Sequence, residues 1–280
     1  MRITRSIPVV SRLCQESPFR VVLVPTMGAL HAGHAALIKQ ARHLAGRGGL
    51  VVVSIFVNPA QFGPKEDFTQ YPRTLDADQK LCAEHGADVI FHPTVETMYP
   101  DGFSTFVDES EVSAALCGAS RPGHFRGVCT VVMKLFQITQ PNSAVFGLKD
   151  FQQCAVIRRM VCDLDVPVRI VEVETVREPD GLALSSRNRH LSTEERAQAT
   201  VLRRALLAAC AAFSAGETNA EKLRRLLVQT IATAPLARLD YAEIADADTL
   251  RPVREVRRNT VLALAVFFGK TRLIDNLWLR

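Results

Sequence analysis

The sequence predicts an α/β chain in which a parallel sheet, covered by helices on both faces, is followed by a smaller α+β unit. Three observations lead there. Short apolar runs without polar alternation recur through the first 176 residues, as expected of strands buried on both faces. Helical patterns lie between them, the order that produces parallel strands joined by crossover helices. After Val176 the pattern changes to helices followed by three longer strand-like runs. The expected division is residues 1–176 as the main unit and 177–280 as a smaller unit that closes over a site in the first.

The first apolar run, Val21-Val22-Leu23-Val24, stops at Pro25-Thr26. The runs over 50–57, 88–91, 144–146 and 168–176 stop in turn at Asn58-Pro59, His92-Pro93, Gly147 and Arg177-Glu178-Pro179. Helices are expected over 33–44, 76–85, 130–139 and 150–164, the last with Asp150 as its N-cap. Ser192-x-x-Glu195 has the form of a capping box and opens an Ala/Leu/Arg-rich helix to about Phe213, and Thr218-x-x-Glu221 opens another. Residues 239–245, 260–268 and 271–278 then follow as strands. The main unit is Rossmann-like, and in such doubly wound sheets ligands sit at the carboxyl ends of the strands. The unusual polar residues of this chain follow those ends.

A chain of 280 residues, 48% hydrophobic, can bury a substantial core. Its 34 basic residues exceed its 29 acidic ones by five. That excess is spread along the chain rather than gathered in a stripe, which argues against a nucleic-acid partner and suits a site for small anions. The seven cysteines, Cys14, Cys82, Cys117, Cys129, Cys154, Cys162 and Cys210, are odd in number, scattered, and form no CxxC pair. This usage fits reduced thiols in the cytoplasm rather than a disulfide framework or a zinc ribbon. The N-terminal segment lacks the continuous apolar core of a signal peptide. The longest apolar run, 261–268, is too short to span a bilayer, so no membrane partner is expected.

The densest chemistry lies in Pro25-Thr26-Met27-Gly28-Ala29-Leu30-His31-Ala32-Gly33-His34. His31 and His34 are three apart at a helix start and so share a face. Gly28 and Gly33 let a ligand approach the backbone. A helix N-terminus after a strand favours phosphate, and two imidazoles there can donate hydrogen bonds as charge builds. A zinc site would need third and fourth ligands, and no spacing supplies them.

Gly147-Leu148-Lys149-Asp150 follows another strand and places a lysine where it can hold phosphate oxygens. Leu184-Ser185-Ser186-Arg187-Asn188 brings two hydroxyls and an arginine to the boundary between the units. Gln61, after a third strand, can bind hydroxyl or carboxylate groups, and Gln152 and Gln153 lie one turn beyond Lys149. Asp76 and Asp78 can assist a magnesium–triphosphate complex. Residues 121–127, Arg-Pro-Gly-His-Phe-Arg-Gly, have the character of a mobile basic loop. Taken singly, each of these also fits an ordinary solvated side chain or turn. Three phosphate-type clusters at separate strand ends point together to an ATP-using enzyme of the HxGH nucleotidylyl-transfer type. Two other classes share parts of this pattern: nucleotidylyltransferases that leave the nucleotide on a phosphorylated acceptor, and catalytically silent nucleotide-binding proteins.

The segments over 25–34, 56–78, 118–132, 145–153 and 175–192 resemble, in order and over most of residues 20–192, those of the pantothenate synthetases, or pantoate–β-alanine ligases. The last third of the chain is similar only in length and general pattern. The resemblance implies attack of pantoate carboxylate on the α-phosphorus of ATP, giving pantoyl adenylate and pyrophosphate. The amine of β-alanine then displaces AMP. It also implies magnesium with the ATP, and a homodimer. Carried over by position, Met27 to His34 would line the ATP site, with His34 catalytic as a proton donor or transition-state stabiliser and His31 its partner. Gly147 to Asp150 would bind ATP, with Lys149 on the phosphates; Val176 would meet the nucleotide, and Leu184, Ser185, Ser186 and Arg187 would close on the triphosphate. Gln61 and Gln153 would hold pantoate, Arg121 would serve as a lid contact, and Asp78 would help with magnesium. Leu184 stands where many members have Met, and Leu148 and Cys117 where a more polar residue is common.

Overall fold

The computed structural model describes residues 1–63 and 68–280; residues 64–67, inside the segment 56–78 quoted above, lie outside the described residues. In chain order the elements are β1 (Arg2–Thr4), α1 (Ile7–Gln15), β2 (Val21–Thr26), α2 (Ala32–Ala45), β3 (Leu50–Ile55), α3 (Leu75–Glu84), β4 (Val89–Phe91), α4 (Val95–Met98), α5 (Cys117–Ser120), α6 (His124–Thr139), β5 (Ser143–Gly147), α7 (Phe151–Asp163) and β6 (Arg169–Val173). There follow α8 (Thr193–Gln198), α9 (Val201–Ser214), α10 (Ala220–Ile231), β7 (Ala237–Asp246), β8 (Thr260–Phe268) and β9 (Thr271–Leu279). Short 3-10 turns occupy Pro59–Gln61, Leu148–Asp150 and Ser186–His190.

Six strands form one parallel sheet in the order β1-β4-β3-β2-β5-β6. The apolar runs are unbroken because each face of this sheet is covered. Val22, Val24, Val51, Val53 and Val145 pack with Leu37, Ile38 and Ala41 of α2 and Cys82 of α3. Their strand neighbours Val21, Leu23, Val52 and Ala144 face the other way and join Val10, Val132, Leu135, Phe136, Ile157 and Met160 of α1, α6 and α7. From β2 the chain winds outward through β3 and β4, then returns to β5 on the other side of β2. The β2–β5 junction is therefore the topological switch point, with a crevice at the strands' carboxyl ends. The segments 26–34 and 147–150 both begin there.

The last three strands form a separate antiparallel sheet, β7-β8-β9. One of its faces packs on α9 and α10 through Leu202, Leu206, Leu223, Leu227, Leu262 and Leu264. Ala245 and Val261 of the same sheet belong to the apolar cluster of Phe151, Cys154 and Ala155, so the two sheets share a core. No helix among the described residues is long and apolar enough to cross a membrane.

Several local features differ from the sequence expectation. β1 and α1 have no counterpart in it: β1 has three mostly exposed residues, and α1 buries only Val10 and Cys14. α6 starts at His124, not at residue 130, so the second half of the 121–127 segment is the first turn of a helix, capped by Gly123 in the left-handed region. Asn219 rather than Thr218 caps α10, accepting from the Lys222 amide at 3.0 Å. Thr218 instead gives its carbonyl to Val256. The Ser192–Glu195 capping box is present as expected, but the helix it opens ends at Gln198 and the stretch to Ser214 is a second helix, α9, not one continuous helix to Phe213. Asp150 holds the N-cap position of α7 without a side-chain cap bond; its carboxylate lies 3.7 Å from the Lys149 ammonium.

Candidate active site

The two histidines build their own helix cap. His31 is the N-cap of α2; its Nδ1 accepts from the Gly33 amide at 3.1 Å, while Nδ1 of His34 accepts from the His31 amide at 3.2 Å. This is a capping box made of imidazoles, in which each ring uses its Nδ1 lone pair. A neutral ring in that role carries its proton on Nε2 and can donate there. Protonating Nδ1 would set one N–H against another. The rings lie 4.2 Å apart, centroid to centroid, and both line the cleft. The pKa of His34 is lowered to about 3, first by burial and then by the His31 ring. That of His31 is lowered by burial and then by the Lys149 charge. At neutral pH the pair is uncharged, and its chemistry is hydrogen-bond donation.

The loop before them is held from below. Gly28 has φ +83° and Ala29, which carries a Cβ, +51°, a strained conformation for any residue but glycine. Asp78, 1% exposed, stabilises it: Oδ2 accepts from the Ala29 amide at 3.0 Å, and Oδ1 accepts from the Leu30 amide at 2.8 Å and the Thr74 hydroxyl at 3.1 Å. The Thr26 hydroxyl accepts from the Gly28 amide. The amides of Gly28, Ala29, Leu30, His31 and Gly33 are thus bonded within the protein. What this loop presents to the cleft is therefore side chains, above all the rings of His31 and His34. The glycine at 33 also has a reason other than ligand approach, since a Cβ there would come within 2.8 Å of the His31 ring.

Across the crevice, Lys149 projects from the turn after β5 and is 22% exposed. The segment from Val176 to Leu184 is a tight hairpin, closed by the Leu184 amide on the Val176 carbonyl at 3.0 Å and by the Arg177–Ala183 bridge. It delivers Ser185, Ser186 and Arg187 to the cleft, with the Ser185 hydroxyl accepting from the Arg187 amide. The cleft of about 240 Å³ adjoins a larger cavity of about 800 Å³ beside the second sheet, and the two share Arg121, His124, Lys149, Asp150, Gln153, Ser185 and Arg187.

On the far wall, Gln61 is buried in its 3-10 turn. Asn58 donates to its Oε1 at 2.9 Å and to the Gly127 carbonyl at 3.0 Å, and itself accepts from the Tyr99 hydroxyl. His124 Nδ1–H donates to the Gln61 carbonyl at 2.8 Å, which leaves Nε2 to accept from Arg121 at 3.0 Å. Arg121 also donates to that carbonyl at 3.3 Å. The paired glutamines on α7 separate in role. Gln152 is buried, accepts from the Cys117 amide and donates to the Val112 and Ala115 carbonyls, whereas Gln153 lines the cleft.

This arrangement offers neutral donors facing cations across a crevice walled by carboxamides, and it coincides with a specific family. The chain matches the pantoate–β-alanine ligase family model over residues 2–278. It is 53% identical to the pantothenate synthetase of Geobacter sulfurreducens over 266 residues, covering 95% of this chain and 93% of the relative. It is 49% identical to that of Fervidobacterium nodosum, covering 99% of each. Its fold is similar to the pantothenate synthetase of Thermus thermophilus, with a TM-score of 0.93 and 46% identity over 100% of this chain and 99% of that one. It is also similar to the pantoate–β-alanine ligase of Francisella tularensis complexed with β-γ ATP and β-alanine, with a TM-score of 0.80 and 35% identity over 99% and 97%.

This chain belongs to the pantoate–β-alanine ligase family.

Of the positions the family resemblance singled out, Met27, His31, Gly33, His34, Gln61, Arg121, Gly147, Lys149, Asp150, Gln153, Val176, Leu184, Ser185, Ser186 and Arg187 meet around one cleft. Gly28, Ala29, Leu30, Ala32 and Leu148 do not line it; they shape the two loops from behind. Asp78 lies behind the loop, beside Gly28 in a separate cavity, and its oxygens are bound to the Ala29 and Leu30 amides; in this placement it supports the loop and does not line the cleft. Sequence reasoning missed Asn58 and His124, which fix Gln61, and Asn276, which donates to the Leu148 and Lys149 carbonyls. The available signal was a polar pair, Asp275-Asn276, interrupting an apolar strand.

Replacing Asp78 by Ala strands two amide donors, at a cost of roughly 1–3 kcal/mol each. We expect Asp78→Ala to lower the melting temperature and to reduce turnover more than tenfold, with the magnesium concentration for half-maximal activity unchanged; a raised magnesium requirement would restore the ion-binding role. The low pKa of His34 also couples to folding. Between its folded value of about 3 and an unfolded value near ~6.5, the unfolded chain holds more protons, so this contribution to stability is complete above the unfolded value and is lost as pH falls through the window. Melting curves at pH 7 and pH 5 should show a smaller acid-induced loss for His34→Gln than for the parent chain. Equal losses would show that His34 does not carry the linkage.

Proposed function

We propose that this chain condenses pantoate with β-alanine, using ATP, through pantoyl adenylate. The observation that carries this is the pair of neutral imidazole donors facing Lys149 across the switch-point cleft, in a member of this ligase family. In the first step a pantoate carboxylate oxygen bonds to the α-phosphorus as the bond to the bridging oxygen breaks, and pyrophosphate leaves with that electron pair. In the second, the uncharged amine of β-alanine attacks the acyl carbon and AMP departs, with the amine's proton passing to solvent.

The protein's task in both steps is positioning and charge stabilisation. Nε2–H of His31 and of His34 donate to phosphate oxygens. With each Nδ1 accepting within the cap and neither ring an imidazolium near neutrality, His34 acts by hydrogen-bond donation from Nε2–H to the charge that builds on the phosphates. Lys149 and Arg187 supply fixed positive charge, and Ser185 and Ser186 supply hydroxyls. Gln61 and Gln153 orient pantoate, and Gln61, with its carbonyl fixed by His124 and Arg121, also lies beside the amine's approach.

Magnesium enters with ATP. Among the described residues no group of three His, Cys, Asp or Glu side chains is placed to hold a metal, so an ion carried in by oxygen donors of the triphosphate and water suits this site. Asp150 is the carboxylate beside Lys149 in the cleft and is the fitting protein contact. Bound with ATP, the ion offsets negative charge on the phosphates.

Residues 177–280 act as the closing unit over residues 1–176, through the 176–187 hairpin, keeping water from the anhydride. The protein works in the cytoplasm as a homodimer, in keeping with cysteines that are all free and with the family resemblance.

Incubation with ATP, pantoate and β-alanine tests this. We expect AMP and pantothenate in equal amounts, and pantoate-dependent exchange between ATP and pyrophosphate when β-alanine is withheld. Nucleotide retained on the product would overturn the proposal in favour of a nucleotidylyltransferase. His34→Ala should lower turnover by about 10²–10³-fold with circular dichroism unchanged; near-normal turnover would remove His34 from the chemistry.

A further inference from the structure

The second sheet lines the larger cavity beside the cleft through β9. Asp275 and Asn276 are 3% and 8% exposed, in a strand whose other buried residues, Leu273 and Leu279, are apolar. Both side chains bond to the elements around the cleft. Asn276 Nδ2 donates to the Leu148 carbonyl at 2.8 Å and to the Lys149 carbonyl at 3.0 Å. Asp275 takes both terminal nitrogens of Arg177, at 2.8 and 2.9 Å, and its Oδ1 also accepts from the Asn276 amide at 2.8 Å. Two residues on, and so on the same face of the strand as Asn276, Trp278 packs edge-on against Phe151 with centroids 5.4 Å apart. Residues 148, 149 and 151 are therefore held from one face of one strand, and Arg177, the root of the 176–187 hairpin, from the other.

We infer that Asn276 is a positioning residue for the ligation: its carboxamide fixes the peptide planes on both sides of Lys149 and so sets where the ammonium stands. Two consecutive carbonyls demand a group with two hydrogens on one nitrogen. Asn meets that demand; Asp at the same place presents oxygen to oxygen, and Ser supplies one hydrogen. A phosphate contact displaced by about 1 Å costs on the order of 10²-fold in rate. The Asp275–Arg177 pair, bidentate and desolvated, ties the same strand to the hairpin that carries Ser185 and Arg187. The inference rests on Lys149 acting on the phosphates, as proposed above.

The two half-reactions separate a positioning role from general damage. Asn276→Asp and Asn276→Ser should raise KM for ATP and slow pantoate-dependent ATP–pyrophosphate exchange by about 10–100-fold, with Asp the worse. Release of pantothenate from supplied pantoyl adenylate and β-alanine should change less than about threefold, because that step leaves the pyrophosphate side of the cleft empty. Fluorescence of Trp278, the single tryptophan, confirms that each variant keeps the strand docked. Lys149→Ala serves as the reference. If Asn276 acts through Lys149, adding Asn276→Ser to Lys149→Ala slows exchange no further. Equal damage to both half-reactions, or additive losses in the double variant, would overturn the positioning role while leaving Lys149 in place. Normal exchange in Lys149→Ala alone would instead remove Lys149 from the phosphates, and this inference with it.

Discussion

The constraint on which this molecule depends is the reversal of winding between β2 and β5. Parallel strands buried on both faces leave almost nothing polar along their length, so function is confined to their ends. Between β2 and β5 the chain leaves toward opposite faces: α2 packs with Val22 and Val24, while α7 packs with the cluster that contains Leu23 and Ala144. The gap that opens is where His31 and His34 face Lys149. Neither loop could form this site alone, because one brings donors without charge and the other brings charge on a flexible stem.

The histidine loop is itself a product of competing demands. It must turn sharply enough to place a helix start at the strand end, and the cost is left-handed backbone at Gly28 and at Ala29. The buried Asp78 offsets that cost by accepting two consecutive amides. The rings then complete the cap themselves, which consumes both Nδ1 atoms and leaves the Nε2 atoms to donate. Capping and chemistry thereby become one device: the hydrogen bonds that terminate α2 also select the tautomer that can donate to an anion. Charge on either ring would break the cap, so the two histidines remain neutral beside Lys149 for a structural reason as well as an electrostatic one.

The parts legible in the sequence were those governed by local rules. Unbroken Val-rich runs gave away strands buried on both faces, the Ser192–Glu195 box gave away α8, and the glycine-bracketed histidines marked the site. β1 was invisible because three exposed residues on a sheet edge carry no pattern, and the start of α6 was hidden by a proline and a glycine in the turn before it. Gln152 and Gln153 could not be told apart by type or spacing. Only the packing of α7 against residues 112–117 buries one and opens the other. Asp78 looked like a carboxylate near phosphates because sequence distance does not reveal which side of a loop a helix approaches from.

The least legible part was the second sheet, where no motif signals a role in catalysis. Its contribution runs through backbone carbonyls, which every residue possesses, so the residues it contacts leave no trace in sequence. Yet the physical demand is severe. A lysine is a point charge on four rotatable bonds, and its ammonium is no better placed than the peptide that carries it. The turn 148–150 is a single 3-10 turn, and its Leu148 and Lys149 carbonyls both accept from Asn276 of β9. An adenylating enzyme needs the cation fixed while pyrophosphate departs, and it needs the cleft closed before an amine rather than water reaches the anhydride. A single strand that grips the lysine turn with one residue and Arg177, at the root of the 176–184 hairpin, with the one before it ties these two parts of the site to each other.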